Sequence, residues 1–228
     1  MPTHALQIRN LAFRYDAPGS TPFELHVGSL VLGAGEQMLL TARSGGGKST
    51  LLGLICGLMD PLRGTIEVDG QDIHDLRGAA RDRFRGARIG VIFQTFNLLI
   101  GFSALENVLA PLMLSNIPRG EHHARASALL ERLGIERPHA KVEHLSVGQQ
   151  QRVAVARAVA CKPALVLADE PTASLDPENA GGAMDLIQGI CRDTGAALLC
   201  VSHDPSMAQR FPRQERLDAL STQGASAS

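Results

Sequence analysis

The stretch QMLLTARSGGGKSTLLGLICGLM, residues 37–59, decides the fold of this 228-residue chain. Its first part, 37–42, is a short apolar run of the kind that forms a buried strand. Its last part, 51–59, has the length and apolar content of a helix. A glycine-rich turn that ends at Lys48 joins the two parts. The pattern therefore predicts a strand, a tight loop and a helix in direct succession.

The order of residues in this turn approaches Gly-x-x-x-x-Gly-Lys-Ser/Thr, the pattern of a phosphate-binding loop. Glycines let backbone N–H groups converge on phosphate oxygens, and a helix N-terminus adds its positive dipole end. We expect Lys48 to bridge the β- and γ-phosphates of a nucleotide and Ser49 to ligate Mg²⁺. The predicted cradle consists of Ala42, Arg43, Ser44, Gly45, Gly46, Gly47, Lys48, Ser49 and Thr50.

Ala42 stands where the pattern has its first glycine. If that position requires a positive φ, alanine costs on the order of 1 kcal/mol there. We expect Gly46, which occupies a position open to any residue, to restore some freedom to the loop. A glycine-rich turn without a ligand is the alternative interpretation.

A second buried strand ends in acids, in the sequence LVLADE at 165–170. In a protein with a phosphate-binding loop, that end of the strand lies beside the loop. Asp169 would there organise Mg²⁺ through water, and Glu170 would act as general base for the attacking water. The alternative is a charged strand terminus without a catalytic role.

His203 follows a third apolar run, AALLCVS at 196–202. A lone histidine is more often structural than catalytic. Its place at a strand end, where a γ-phosphate would be sensed, favours a functional role. The pair His122-His123 is better explained as part of a solvated helix face than as a metal site.

Alternating strands and helices predict an α/β fold with a mostly parallel sheet and a P-loop NTPase core. The alternating segments 6–15 and 23–32 predict an N-terminal antiparallel β-subdomain, and 64–73 a hairpin that turns at Asp69-Gly70. An α-helical subdomain is expected as an insertion at about 95–160. Helical pieces within 103–134 are expected to break at Pro111 and Pro118. The whole domain is expected to span 5–225.

Composition narrows the classes of function. The net charge of −1 gives no basic field that would favour nucleic acid, so we expect no nucleic-acid partner. The most apolar stretch, 95–117, contains Glu106 and Pro111 and does not resemble a membrane span. The four cysteines form no CxxC pair and are expected to be small buried hydrophobes: Cys56, Cys161, Cys191 and Cys200.

A phosphate-binding loop followed by LSVGQQQR at 145–152 resembles the nucleotide-binding domains of ABC transporters, over about residues 5–210. The resemblance implies that Tyr15 stacks on adenine and that Gln94 touches Mg²⁺ and the attacking water while reporting to a membrane subunit. It makes His203 a switch histidine and places Asp176 in a loop that crosses between subunits. The family signature then comprises Leu145, Ser146, Val147, Gly148 and Gln149, with valine where glycine is more usual.

The same resemblance implies ATP and Mg²⁺ as ligands and a head-to-tail homodimer in which the signature of one copy covers the nucleotide of the other. It implies a separate transmembrane permease and a peripheral position at the cytoplasmic face of the inner or plasma membrane. Within the family, FQTFNLL and ALENV at 104–108 are similar to the lipoprotein-releasing and macrolide-export group. The family docks a helix of its permease at 95–115; a core helix is the equally weighted alternative.

Two departures from the family affect the expected affinity. The segment FPRQERLDALST, 211–222, lacks the Asp-Gly turn that usually ends a closing strand, so we expect a truncated or divergent C-terminus. Together with Ala42 and Val147, this predicts somewhat weaker nucleotide binding, although all the charged catalytic groups are present.

Two other functions were weighed against a transport ATPase. A soluble ABC-type ATPase acting on DNA does not fit, because only 51–144 separates the loop from the signature. A regulatory subunit that binds ATP with little turnover is the alternative that the sequence leaves open.

Overall fold

The computed structural model describes residues 4–15, 22–43 and 45–222. In chain order, the strands are β1 (His4–Tyr15), β2 (Phe23–Gly33), β3 (Gln37–Thr41), β4 (Arg63–Val68), β5 (Gln71–Asp72), β6 (Ile89–Ile92), β7 (Leu165–Asp169), β8 (Ala197–Val201) and β9 (Arg213–Arg216). The α-helices are α1 (Lys48–Ile55), α2 (Gly78–Arg88), α3 (Ala104–Met113), α4 (Arg119–Arg132), α5 (Val147–Val159), α6 (Pro177–Thr194) and α7 (Leu217–Thr222). Short 3₁₀ turns occupy Val142–His144 and Pro205–Arg210.

The strands form two sheets, and the predicted fold class is confirmed. One sheet has the order β2-β1-β4-β5 and is antiparallel; β4 and β5 form the predicted hairpin. The other has the order β6-β7-β8-β3-β9 and is parallel. Because all its strands point the same way, the carboxyl ends of β3, β7 and β8 meet at one edge, where ligands bind in open α/β sheets.

The parallel sheet is buried on both faces, which explains its continuous apolar strands. In β7, Val166 and Ala168 pack against the helical side of the core, whereas Leu165 and Leu167 pack against α1 and the antiparallel sheet. The side chains of β3 and β8 alternate between the same two clusters. Side chains on both faces thus hold the strand ends in fixed positions.

Helices α3, α4 and α5 lie between β6 and β7 in the chain. Helix α5 packs closely on β6: a Cβ at Gly90 would lie 2.2 Å from the carbonyl oxygen of Ala158. The contact leaves no space for any side chain at Gly90, so glycine there allows the helix to approach the strand. Along the ranges that the structure describes, none of the helices combines the length and apolar character needed to cross a bilayer.

Some expectations about local structure were wrong. Pro111 does not break a helix: it lies inside α3, which ends two residues later, whereas Pro118 does precede α4 as expected. Helix α1 ends at Ile55, because the chain turns at Gly57, where φ is 63°.

A closing strand is present in the C-terminal segment that we expected to be truncated or divergent. Residues 213–216 form β9, which pairs in parallel with β3 and closes the edge of the sheet. The family's Asp-Gly turn is replaced by α7, which continues directly from that strand. The last three residues of the predicted domain, 223–225, lie outside the described residues.

The four cysteine thiols are free. Three of them are buried as predicted, and Cys161 is half-buried. Burial raises the pKa of Cys56 to about 11, which marks it as an unreactive packing residue.

Candidate nucleotide-binding and catalytic site

The glycine-rich loop has a backbone shape that requires its glycines. Gly45 and Gly47 adopt φ values of 73° and 89°, in the left-handed region. A Cβ at Gly46 would lie 2.9 Å from the carbonyl oxygen of Arg43, and a Cβ at Gly47 would lie 2.9 Å from Cζ of Phe23. Side chains at these positions would therefore collide with the loop or with β2.

Ala42 does not have a positive φ, so the strain that the sequence raised at this position does not arise. Gly46 also lies outside the left-handed region; it is needed for space and not for the conformational freedom that was expected of it. Ser44, a predicted member of the cradle, lies outside the described residues, and the Arg43 side chain is exposed.

Helix α1 begins at Lys48, directly after the loop. Gly47 is its N-cap, no side chain caps it, and its first turn holds no acidic residue. No described side chain therefore caps the first amides of the helix, which are suited to an anion. Thr50 is half-buried in the same first turn, and Ser49 is exposed.

Glu170 is the centre of a compact charged cluster. It is buried and has a left-handed φ of 45°. Lys48 Nζ lies 3.2 Å from its Oε1, and His203 Nδ1 lies 2.6 Å from the same atom. Ser202 Oγ donates to Oε2 at 2.9 Å, and the backbone N–H of His203 donates to Oε1 at 3.1 Å. The sheet thus brings together three residues predicted from separate motifs.

These contacts determine the charge of the carboxylate. Burial alone would raise the pKa of Glu170, but hydrogen bonds from His203, Ser202 and Lys48 outweigh it and hold the pKa below its ordinary value. Glu170 is therefore ionised at neutral pH. A carboxylate that is ionised and fixed in position has the properties of a general base.

Asp169 experiences the opposite electrostatic effect. Burial and the charge of Glu170 raise its pKa, and the ammonium of Lys48 offsets part of that increase. Asp169 and Ser49 line the same cavity of about 570 Å³. Among the described residues, no three histidine, cysteine, aspartate or glutamate side chains form a set able to hold a metal ion by themselves.

Tyr15 lies with the phosphate loop at a second cavity, of about 360 Å³. Its side chain is exposed, and Phe13, Phe23 and Met59 complete the apolar part of the lining. The polar part comes from Lys48 and its neighbours in α1. An apolar wall beside a polar loop suits a flat base that is attached to phosphates.

Gln94 lies in the loop after β6, with an exposed side chain. Its backbone carbonyl accepts a hydrogen bond from Ser174 Oγ at 2.9 Å. Its side chain makes no hydrogen bond to Glu170 or His203 in the described structure, so Gln94 is the one predicted catalytic residue that stands apart from the charged cluster.

The signature residues form the start of α5. Ser146 is the N-cap in a capping box with Gln149: Ser146 Oγ accepts from the Gln149 amide at 3.3 Å, and Gln149 Oε1 accepts from the Ser146 amide at 3.0 Å. Leu145 is buried beneath the turn, and Val147 is 51% exposed. The turn shares a cavity of about 660 Å³ with Asp176.

Comparison with known proteins agrees with this geometry. The family model described as "ABC transporter" matches residues 25–173. The chain is 42% identical, over 186 residues, to the lipoprotein-releasing system ATP-binding protein LolD of Chromohalobacter salexigens, which covers 81% of this chain and 78% of that protein. The chain belongs to the ABC transporter family. As a member of that family it is an ATPase, so the resemblance drawn from the motifs is confirmed.

Solved structures agree with this assignment to the ABC transporter family. Two dimeric structures of the ATP-binding cassette MJ0796 superpose with a TM-score of 0.77 at 32% identity, over 92% of this chain and 93% of that one. One is a post-hydrolysis state bound to ADP and Pi, and the other is described as a bacterial ABC transporter cassette.

Sequence reasoning missed several residues of this ABC cassette's site. Ser202 holds Glu170, and Phe23 packs against Gly47, yet neither belongs to a motif. Ser174 and Arg157 bind the loop of Gln94 through its backbone carbonyls. A side chain that acts through backbone atoms leaves no local pattern, and only the adjacency of Ser202 to His203 was a usable signal.

Proposed function

We propose that this protein binds MgATP between two head-to-tail copies, hydrolyses it with Glu170 as general base, and drives a separate permease at the cytoplasmic face of the membrane. The observation that carries the proposal is the cluster of Lys48, Glu170 and His203 beside the glycine loop. The similarity to LolD supports a place in the lipoprotein-releasing or macrolide-export group. We take 5–225 as one domain, with 95–160 as its helical part.

Lys48 is the cation that a triphosphate would engage. It is mostly buried, and it has Glu170 Oε1 and the Ala42 carbonyl, 3.3 Å away, as acceptors. Phosphate oxygens carry more negative charge than either acceptor and lie within the reach of the α1 amides. Binding therefore transfers Lys48 from Glu170 to the nucleotide, while Ser202 and His203 keep the carboxylate in place to accept a proton from water.

The residues at this site fit an Mg²⁺ ion that is held partly by the protein and partly by the phosphates of a nucleotide. Mg²⁺ prefers hard oxygen ligands and is usually held by one or two carboxylates, waters and substrate phosphates. Ser49 and Asp169 supply such oxygens on one cavity, and the residues that the structure describes offer no complete cage. When bound, the ion would neutralise phosphate charge; Ser49 and Gln94 are the proposed ligands, and Asp169 would act through water.

The exposed signature turn supports the dimer. A Cβ at Gly148 would meet no atom within 4 Å, so this chain alone gives no steric reason for glycine there. A second copy that places a γ-phosphate against the α5 N-terminus supplies that reason, because a phosphate must approach the amides closely. Asp176 borders the same surface, and the similar cassette MJ0796 forms dimers.

A permease helix has a suitable groove beside Gln94. The 570 Å³ cavity is apolar along Leu58, Phe93 and Pro111. Large exposed apolar side chains follow Phe93 and Pro111 closely in the chain, as expected for a protein-binding patch. They are Leu99, Ile100, Phe102, Met113 and Leu114.

The decisive experiment is Glu170→Gln. We expect ATP binding to be kept, turnover to fall by roughly 1,000-fold, as expected for loss of a general base, and ATP to trap a dimer in size-exclusion chromatography. Glu131→Gln, an exposed change on α4, is the matched control and should behave as wild type. Normal hydrolysis by Glu170→Gln would exclude the assigned base, and a wild type that binds ATP with negligible turnover would favour the regulatory alternative.

A further inference from the structure

The loop that carries Gln94 is bonded to two other parts of the chain. Ser174 Oγ donates to the carbonyl oxygen of Gln94 at 2.9 Å. Arg157 donates through Nη2 to the Phe96 carbonyl at 2.6 Å and through Nη1 to the Asn97 carbonyl at 2.5 Å. Three carbonyls within four residues are thus held by side chains from elsewhere in the fold.

Two of those carbonyls belong to residues with unusual backbone conformations. Phe96 and Asn97 have φ values of 59° and 47°, in the left-handed region that residues other than glycine rarely adopt. Consecutive residues of this kind persist when their surroundings hold them. Arg157 is the side chain that binds both carbonyls, so it stabilises the strained shape of the loop.

Arg157 is well suited to this task. Burial lowers the pKa of its guanidinium below the ordinary value, and within the described ranges no carboxylate forms an ion pair with it. The planar guanidinium presents two parallel N–H groups to two acceptors, an arrangement that a lysine ammonium does not reproduce. The two carbonyl oxygens therefore accept hydrogen bonds from a partly desolvated cation.

The helix that supplies Arg157 is the signature helix. Helix α5 begins at the exposed signature turn and is seated on β6 by the close approach at Gly90. Gln151, also on α5, donates to the Pro171 carbonyl at 2.9 Å in the segment that follows Glu170. One rigid element thus contacts both the Gln94 loop and the strand end that carries the proposed base.

We propose that Arg157 is a positioning residue that fastens the Gln94 loop to the signature helix. Gln94 serves the nucleotide of its own copy, whereas the signature turn of the same helix serves the nucleotide of the second copy. A displacement of the loop by the permease is then passed to the neighbouring site through α5. This inference rests on the proposed role of Gln94 in hydrolysis.

The test is a double-mutant cycle on the full chain. Arg157→Lys should lower kcat by roughly 10- to 100-fold, the usual cost of losing a residue that orients a ligand of the reaction. The KM for ATP should change less than about threefold, because the phosphate loop is untouched. Gln94→Ala combined with Arg157→Lys should be no slower than Gln94→Ala alone, since both changes remove the same contribution.

Arg81→Lys is the structural control. Arg81 also donates to backbone carbonyls, those of Leu76 at 2.9 Å and Gly57 at 3.3 Å, and it pairs with Asp60 at 2.9 Å, but among the described residues it makes no hydrogen bond to the Gln94 loop. The Arg81→Lys change should lower the melting temperature without a selective loss of kcat. If Arg157→Lys does not fold, Ser174→Ala should show a smaller effect in the same direction, again without adding to Gln94→Ala.

Hydrogen exchange provides a measurement that does not depend on turnover. Amides of 93–98 should exchange faster in Arg157→Lys than in wild type and remain protected in Arg81→Lys. Unchanged exchange together with unchanged kcat, or rate losses that multiply in the double mutant, would overturn the inference. Full activity of Gln94→Ala with faster exchange in Arg157→Lys would instead refute the catalytic role of Gln94 and leave the fastening intact.

Discussion

The two ends of the proposed nucleotide site differ in how their polar groups are satisfied. At the catalytic end, Glu170 is buried and bonded to Lys48, Ser202 and His203, which come from two other parts of the chain. At the signature end, the side chains of Ser146 and Gln149 each accept a hydrogen bond from the other residue's backbone amide, and the turn is exposed. The first region is completed by long-range contacts inside the fold; the second is a local motif presented outward.

This difference indicates a division of work. The catalytic end is held ready by the sheet, so its electrostatics are fixed before a ligand binds. The signature end has the capped helix start and the open space at Gly148 that an approaching anion requires. Changes at the catalytic end should therefore alter single copies, whereas changes at the signature should alter only the pair.

The largest effect is expected for Lys48→Ala. The change removes the cation that we propose binds the phosphates, and it leaves Glu170 without one of its partners. Nucleotide affinity should fall by about 100-fold or more, corresponding to roughly 3 kcal/mol for a charge-assisted contact. Titration with a fluorescent ATP analogue measures this, and Lys141→Ala, at an exposed remote position, is the control. Unchanged affinity would contradict the cradle.

The next effect tests the outward-facing region through Gly148→Val. The side chain fits the isolated chain, so the melting temperature and the ATP affinity of single copies should hardly change. Turnover and ATP-induced pairing should fall by roughly 100-fold, because the valine side chain keeps a phosphate away from the α5 amides, an effect comparable to the loss of an oxyanion donor. Gly120→Val, at the same second position of α4 with equally open space, should keep full activity. Normal turnover in Gly148→Val would exclude a site shared between copies.

A moderate effect is expected for Asp169→Asn, which should lower turnover but raise the stability of the fold. Because the pKa of Asp169 is raised in the fold, its charge destabilises the native state above the ordinary aspartate pKa. The variant should melt at a higher temperature at neutral pH, by a few degrees at most, while losing Mg²⁺-dependent turnover. The gain in melting temperature should vanish as the pH falls below the ordinary aspartate pKa, because the Asp169 carboxyl of the wild type is then protonated and as uncharged as the asparagine of the variant. A lower melting temperature at pH 7 would contradict the sign.

The smallest effect is expected for Ala42→Gly. Ala42 is not in the left-handed region, so glycine relieves no strain and nucleotide affinity should stay within about twofold or improve slightly. The extra freedom of glycine in the unfolded chain should lower stability by about 0.5–1 kcal/mol. Isothermal titration and thermal melting measure the two quantities. A large loss of affinity would show that the Ala42 methyl contributes to the loop.

Local motifs made most of the site predictable, while contacts between distant segments did not. Lys48, Glu170 and His203 were each found from a pattern within a few residues, but their shared oxygen, Glu170 Oε1, follows from the order of β7, β8 and β3 in the sheet. The closing strand β9 was missed for a similar reason. RQER has alternating burial but no apolar residue, and its pairing with β3 makes it a strand.

The sequence by itself determined the α/β fold, the family and the identity of the charged groups, because the glycine loop, LVLADE and LSVGQ each encode a local structure with its own chemistry. Only the tertiary structure decided that Glu170 is an ionised, buried carboxylate, that Ala42 is unstrained and that Arg157 binds the Gln94 loop. The physical reason is that pKa, strain and positioning depend on what packs against a residue, and those partners come from distant parts of the chain.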